Sequence, residues 1–117
     1  MLLRNLDHPQ VKETRYRAHG GGTAHMILTH PSLASLMFLA HASVPPGAKL
    51  LGHRDPMEEI YIIQTGRGLM QVDDELREVF PGDAVHLPIG SFHELTNIGE
   101  EVLEILVVAG LMPGQAL

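Results

Sequence analysis

Short hydrophobic segments alternate with turn-forming residues along the whole chain, and many of the segments are rich in β-branched side chains. Glycine, proline, asparagine and aspartate mark turns roughly every 8 to 12 residues, which is typical of an all-β sandwich or barrel. The pattern predicts strands over residues 23–29, 34–44, 58–64, 68–73, 76–80, 83–88, 92–97 and 102–109. The last of these is apolar on both faces except at Glu104, as expected of a central, buried strand.

Residues 32–42 permit a second interpretation. Their leucine, methionine and alanine side chains also recur at the i, i+3 and i+4 positions of an amphipathic helix. The pair Pro45 and Pro46 directly after this segment, together with the rhythm of turns, favours a strand.

The length of 117 residues fits one domain with a core large enough to be stable. Hydrophobic residues make up 44% of the chain, within the range of globular proteins. Residues 1–22 contain a glycine triplet and show weak periodicity, so they are predicted to form an N-terminal arm or edge strand. Residues 23–117 are predicted to form the β-barrel domain.

Charge and composition exclude several classes of function. The formal net charge is −6 and lysine and arginine form no cluster, so no surface suits the phosphates of a nucleic acid. The absence of cysteine excludes disulfides, thiolate metal sites and cysteine nucleophiles. The first apolar run is too short for a signal peptide, and no stretch reaches the roughly 18 apolar residues of a membrane span. We therefore expect a soluble, cytoplasmic protein with no nucleic-acid or membrane partner.

Two histidines and two carboxylates are spaced so that one metal ion could collect them. His53, Asp55 and Glu59 lie within one glycine-bounded stretch, and His93 lies within a second. Imidazole nitrogens and carboxylate oxygens suit divalent first-row metals, and two histidines with one carboxylate form the set used by non-haem iron oxygenases. For an isolated histidine at such a position, the simpler explanation is a packed, hydrogen-bonded side chain. The joint spacing of the two histidines instead favours metal ligation.

Strand parity allows these four side chains to converge. His53 and Asp55 are two residues apart and can face one direction, and a bend at residues 56–57 would return Glu59 toward them. His93 joins them if its strand lies near that of Glu59 with its ligand face turned inward.

The same parity predicts an apolar lining around the ligands. Tyr61 and Ile63 share the face of Glu59, and Leu95 shares the face of His93. Such a pocket suits a small organic acid or an aromatic compound. Tyr61, as the candidate catalytic residue, would orient that compound by hydrogen bonding.

The other histidines are expected to have lesser roles. Four of them, in or beside the N-terminal region, are expected to be exposed or at sheet edges: His8, His19, His25 and His30. His41 and His86 lie inside predicted strands, and the pattern does not fix the direction of either. An inward-facing imidazole there would support a metal ligand or act as a general base.

The two glycine-bounded stretches resemble the paired sequence motifs of the cupin family. The first follows the pattern G-x5-H-x-H-x3-E-x6-G from Gly47 to Gly66, except at Asp55, where the family usually has its second histidine. The second follows G-x5-P-x-G-x2-H-x3-N from Gly82 to Asn97 at every fixed position. The motifs cover just under half of the chain. The resemblance implies a cupin-type jelly-roll barrel, a double-stranded β-helix of two antiparallel sheets.

The resemblance also implies that His53, Glu59 and His93 are metal ligands. Glu59 takes this role instead of Glu58 because only Glu59 keeps the six-residue gap to Gly66. The implied cofactor is one divalent transition metal ion, with Mn, Fe, Ni and Zn as the candidates.

Asp55 is the position at which the chain departs from the family pattern. Its carboxylate could coordinate the metal and give a set of two histidines and two carboxylates. It could instead turn to solvent and leave three ligands with more open positions. In a third alternative the chain has lost its metal affinity, as some cupins have.

Family membership does not select an activity, because cupins include dioxygenases, decarboxylases, isomerases, and storage and sensory domains. We expect an oxygenase or a decarboxylase-like enzyme acting on a small organic acid or aromatic compound. The alternative is a non-catalytic module that binds a small ligand. Small cupins also form dimers through an outer sheet, so we expect a homodimer in which residues 1–22 serve as the arm.

Overall fold

A computed structural model describes residues 1–110, which form two antiparallel β-sheets that pack face to face. The predicted all-β jelly roll is confirmed. Residues 111–117 of the predicted barrel domain lie outside the described residues. The strands in chain order are β1 (Tyr16–Ala18), β2 (Gly22–Thr29), β3 (Leu36–Val44), β4 (Lys49–Arg54), β5 (Glu59–Thr65), β6 (Gly68–Val72), β7 (Glu75–Val79), β8 (Ala84–Leu87), β9 (Phe92–Asn97) and β10 (Leu103–Gly110).

One sheet has six strands in the order β1-β2-β3-β10-β5-β8, and the other has four in the order β4-β9-β6-β7. The core lies between them. The segment before β1 contains one short helix, α1 (Pro9–Lys12), and no helix in residues 1–110 is long and apolar enough to cross a bilayer.

The central strand of the larger sheet is β10, as its apolar sequence predicts. Leu103, Ile105 and Val107 of β10 are buried in the core, whereas Glu104 lies on the outer face of the sheet. The segment with two interpretations is a strand, β3, because Ala40 and Val44 alternate into the same core and share one face of the sheet.

All predicted strands are present, and their bounds differ from the prediction by at most two residues. Two further strands have no predicted bounds. The strand β1 lies at the edge of the larger sheet, within residues 1–22, for which an arm or edge strand is predicted, and β4 is not predicted. In β4 the adjacent leucines hide the alternation, since Leu50 is buried and Leu51 is half exposed. The strand β1 has three residues, too few to show a period.

Candidate metal centre

The four candidate ligands meet at one end of the barrel. His53 on β4 is the direct cross-strand partner of His93 on β9. Asp55 follows the last residue of β4, and Glu59 is the first residue of β5 in the opposite sheet. The predicted bend between β4 and β5 is present at residues 56–57. We call these four residues the inner cluster.

A β-bulge in β4 directs His53 into the barrel. Leu50 pairs with Leu95 and His53 with His93, so two residues of β4 oppose a single residue of β9 between these pairs. Without the extra residue, parity from the buried Leu50 would turn His53 outward. Bulges re-aim side chains in this way and are common beside functional sites.

Asp55 lies between the two imidazoles. Its Oδ2 is 3.1 Å from His53 Nε2 and 3.5 Å from His93 Nε2. His93 Nε2 is also 3.6 Å from Glu59 Oε1, which is too long for a hydrogen bond. Atoms bound to one ion at usual metal–ligand lengths lie roughly 3 to 4.4 Å from one another, so these separations fit a shared ion.

The orientation of the His53 ring is fixed by the backbone. His53 Nδ1 lies 2.7 Å from the carbonyl oxygen of Leu51, which can only accept a hydrogen bond. Nδ1 therefore carries a proton, and Nε2 is the nitrogen that faces Asp55. A histidine that donates through one nitrogen and coordinates through the other is the usual arrangement of a metal ligand.

Glu59 and His93 contain buried polar atoms that have no hydrogen-bond partner. Glu59 Oε1, His93 Nδ1 and His93 Nε2 are the side-chain atoms of this kind among residues 1–110. An unsatisfied buried polar group costs about 1–3 kcal/mol. A cation beside the Asp55 carboxylate would satisfy Glu59 Oε1 and one nitrogen of His93, so the donor set suits a divalent metal.

Burial also sets the protonation of the inner cluster. Desolvation and the neighbouring Asp55 raise the pKa of Glu59 to about 8. Desolvation and the neighbouring His53 lower the pKa of His93 to about 4. Burial acts to raise the pKa of Asp55, but the hydrogen bond with Glu59 and the nearby histidines outweigh it and lower that pKa overall. Near neutral pH the metal-free cluster therefore holds a protonated Glu59, an ionised Asp55 and a neutral His93.

The three predicted lining residues are all buried in the core, and Tyr61 lies beside the cluster. Tyr61 has an exposed fraction of 3%, and its ring meets the His93 ring edge-on, with centroids 5.7 Å apart. Burial and the charge of Glu59 raise the Tyr61 pKa, so its hydroxyl stays protonated. Ile63 and Leu95 are part of the closed core.

His41 and His86 both face away from the inner cluster. His41 Nε2 is 3.3 Å from Glu104 Oε1, and Glu104 Oε2 accepts a hydrogen bond of 3.0 Å from Thr65 Oγ1. We call His41, Thr65 and Glu104 the outer cluster. His86 forms an exposed pair with Glu58. Neither imidazole can assist the candidate ligands directly.

His19 is exposed, as predicted, but it also contacts a candidate ligand, which the sequence pattern does not indicate. Its ring is stacked on that of His53, with centroids 3.5 Å apart and an angle of 13° between the planes. The sequence signal that could have found it is the glycine triplet directly after it, because glycines permit close backbone approach.

Comparison with known proteins gives one family. A family model described as a cupin domain matches residues 40–109, more than half of the chain. An uncharacterised protein of Methanocaldococcus jannaschii is 44% identical over 82 residues, which cover 68% of this chain and 66% of that protein. The auxin-binding protein T85 of Nicotiana tabacum is 29% identical over 79 residues, which cover 58% of this chain and 42% of that protein. The chain thus spans less than two thirds of the length of these curated relatives.

Solved structures show the same fold. The crystal structure of a predicted oxalate decarboxylase from Thermotoga maritima matches with a TM-score of 0.83 and covers 95% of this chain and 100% of that one. Its sequence identity is 22%, so the likeness concerns the fold alone.

Proposed function

Because this chain belongs to the cupin family, we propose that its inner cluster holds one divalent metal ion at which a small organic acid or aromatic compound binds. The ligands in this proposal are His53, Asp55, Glu59 and His93. Nitrogen and carboxylate donors together suit Mn, Fe, Ni or Zn.

The observation that carries the proposal is the set of buried polar atoms without partners on Glu59 and His93. A fold that needed these side chains only for packing would supply each atom with a hydrogen bond, as more than nine in ten buried polar groups have. A bound cation accounts for the oxygen and for one nitrogen of His93. It also accounts for the carboxylate of Asp55, which lies between the two imidazoles.

The chemistry supplied by the bound ion would be polarisation of a coordinated carboxylate or carbonyl group, or activation of dioxygen. The protein's own residues would position the substrate. Tyr61 keeps its proton and its ring meets that of His93, and in this proposal its hydroxyl would donate a hydrogen bond to an anionic group held beside the ligands. This arrangement supports an oxygenase or a decarboxylase-like enzyme.

A non-catalytic module that binds a small ligand is the second candidate. The similarity to a protein named for binding auxin favours it, although the match covers 42% of that protein. Both candidates need the same ion, and they differ in whether the bound compound is changed.

Metal analysis of protein purified without chelators tests the site. We expect about one divalent ion per chain in the wild type and a large loss in His93→Ala. His86→Ala is the matched control, because it removes an exposed histidine from β8, which pairs with the strand of Glu59. A wild type that carries no ion, and whose melting temperature does not rise when Mn, Fe, Ni or Zn ions are added, contradicts the proposal.

Turnover assays on metal-loaded protein separate the two candidates. Oxygen consumption and carbon dioxide release are measured across a panel of small carboxylic and aromatic acids, oxalate and auxin included. Consumption or release that is lost in Tyr61→Phe supports the enzyme. Saturable binding without either signal supports the binding module.

The homodimer and the cytoplasmic location stay predictions. Light scattering at micromolar concentration should give the mass of two chains, and a monomeric mass would contradict the dimer.

A further inference from the structure

We propose that His19, supplied by the segment before β2, is an additional nitrogen ligand of the metal ion. This inference rests on the proposed function, since it assigns a further donor to the same ion. It implies that metal binding and docking of the N-terminal arm are coupled.

The position of the His19 side chain carries the inference. One of its ring nitrogens, one donor atom of His53 and one of Asp55 all lie within 4.8 Å of one another. Asp55 also belongs to the corresponding group with Glu59 and His93. The two groups therefore share Asp55. An ion beside its carboxylate can take donors from both once the His19 ring turns out of its stack on His53, because two stacked rings cannot both aim an in-plane lone pair at one ion.

The backbone holds both stacked imidazoles through one residue of β4. The N–H of Leu51 donates to the carbonyl oxygen of His19 at 2.9 Å, and the carbonyl oxygen of Leu51 accepts from His53 Nδ1 at 2.7 Å. An isolated bridge between Gly20 and Leu50 extends this contact. His19 and His53 are thus positioned relative to each other, although they are distant in sequence.

The chain accepts an unfavourable conformation to place His19 there. The φ angle of His19 is +44°, in the left-handed region that residues with a side chain seldom adopt. Such conformations persist where the surrounding structure requires them, and they concentrate at ligand-binding sites. His19 lies in the short turn between β1 and β2, which requires positive φ angles, and this turn sets the direction of its side chain.

Gly21 permits the close approach of the arm to β4. A Cβ atom at Gly21 would overlap the carbonyl oxygen of Lys49, which is backbone and cannot move aside cheaply. Gly21→Ala should therefore displace the arm, although residue 19 remains a histidine. This gives a second variant that tests position separately from chemistry.

The test counts imidazole ligands with Cu²⁺ as a spectroscopic probe. Pulsed electron paramagnetic resonance should detect three coupled imidazoles in the wild type and two in His19→Ala. The affinity for Ni²⁺, measured by calorimetry, should fall at least about tenfold in His19→Ala, and added imidazole should restore part of it. His8→Ala is the matched control, because it removes a histidine from the same arm, where it contacts Asn5.

Gly21→Ala should reproduce the loss of one imidazole and of affinity, with circular dichroism showing that the barrel remains folded. Metal should also slow tryptic cleavage after Arg15 and Arg17 in the wild type and fail to do so in His19→Ala. A wild type that binds Cu²⁺ through two imidazoles, with unchanged Ni²⁺ affinity in His19→Ala, overturns this inference and leaves the proposed function intact. A wild type that binds neither ion overturns both.

Discussion

The inner and outer clusters both place histidine beside a carboxylate, but they satisfy the polar atoms of these side chains differently. In the outer cluster every contact is an ordinary one, since His41 pairs with Glu104 and Thr65 donates to the same carboxylate. In the inner cluster Glu59 and His93 are buried with three polar atoms unpaired.

The difference shows which feature identifies a candidate site in this fold. A histidine close to a carboxylate is not sufficient, because the outer cluster has that too. The distinguishing feature is a buried polar atom without a hydrogen-bond partner. Such an atom lowers the stability of the fold unless a bound group satisfies it. The comparison therefore predicts that metal binds at the inner cluster and not at the outer cluster.

The largest effect is expected from Glu59→Gln, which keeps the shape of the side chain and removes its carboxylate. We expect metal affinity to fall at least about 100-fold, more than the loss of a supporting residue usually causes. Calorimetric titration with Mn²⁺ or Ni²⁺ measures this.

Glu58→Gln is the matched control for this variant, since the neighbouring Glu58 is exposed and pairs with His86. It should bind as the wild type does. Equal losses in the two variants would show that the inner cluster has no special role.

The next effect is the dependence of affinity on pH. The pKa of Glu59 is about 8 in the metal-free protein, so below pH 8 an ion must displace its proton. Affinity should rise about tenfold per pH unit between pH 6 and 8 and level off above that range. His93, with a pKa of about 4, is neutral throughout and contributes nothing to this slope.

Calorimetry in buffers of different ionisation enthalpy gives the number of protons released. We expect about one per ion at pH 7 and none well above pH 8, and no release in Glu59→Gln. If metal affinity still rises with pH in Glu59→Gln, the released proton comes from another group.

A smaller effect is expected at Asp55, whose carboxylate can be replaced by a neutral donor. Asp55→Asn should weaken binding about tenfold, in the range seen when one contact near a metal is lost. Asp55→His should keep binding and shift the preference from Mn²⁺ toward Ni²⁺ or Zn²⁺, since imidazole suits those ions better. If Asp55→Asn binds metal as tightly as the wild type does, Asp55 is not a metal ligand.

The smallest effect on metal is expected at the outer cluster. His41→Ala removes a partly buried partner of Glu104 and should lower the free energy of unfolding by about 1 kcal/mol, as measured by urea denaturation. Its metal affinity should equal that of the wild type. Any drop in affinity would remove the contrast between the two clusters.

Most of the fold is predictable from the sequence because the signal lies in local alternation. The turn residues and the inward-facing apolar positions place eight of the ten strands, among them the central strand β10. Two paired motifs, separated along the chain, bring His53, Glu59 and His93 to one place. The strand β4 is not predicted because its alternation is hidden, and β1 has no predicted bounds because it is short, although an arm or edge strand is predicted over residues 1–22.

The rest of the site depends on contacts that no local pattern contains. The bulge in β4 decides that His53 faces inward, and it follows from pairing with β9. His19 reaches the site through backbone contacts with Leu51, whose position in the fold the sequence does not state. The directions of His41 and His86 likewise depend on which face of each strand meets the core.

The distribution of the inner cluster over both sheets has a consequence for the lifetime of the protein. Glu59 begins a strand of the larger sheet, whereas His53 and His93 belong to the smaller one. An ion held by all three would act as a cross-link in a chain that has no cysteine to form one. Cross-links restrict the unfolded chain and raise the resistance of the folded one to unfolding. The rate at which proteases remove this protein would then follow the supply of metal.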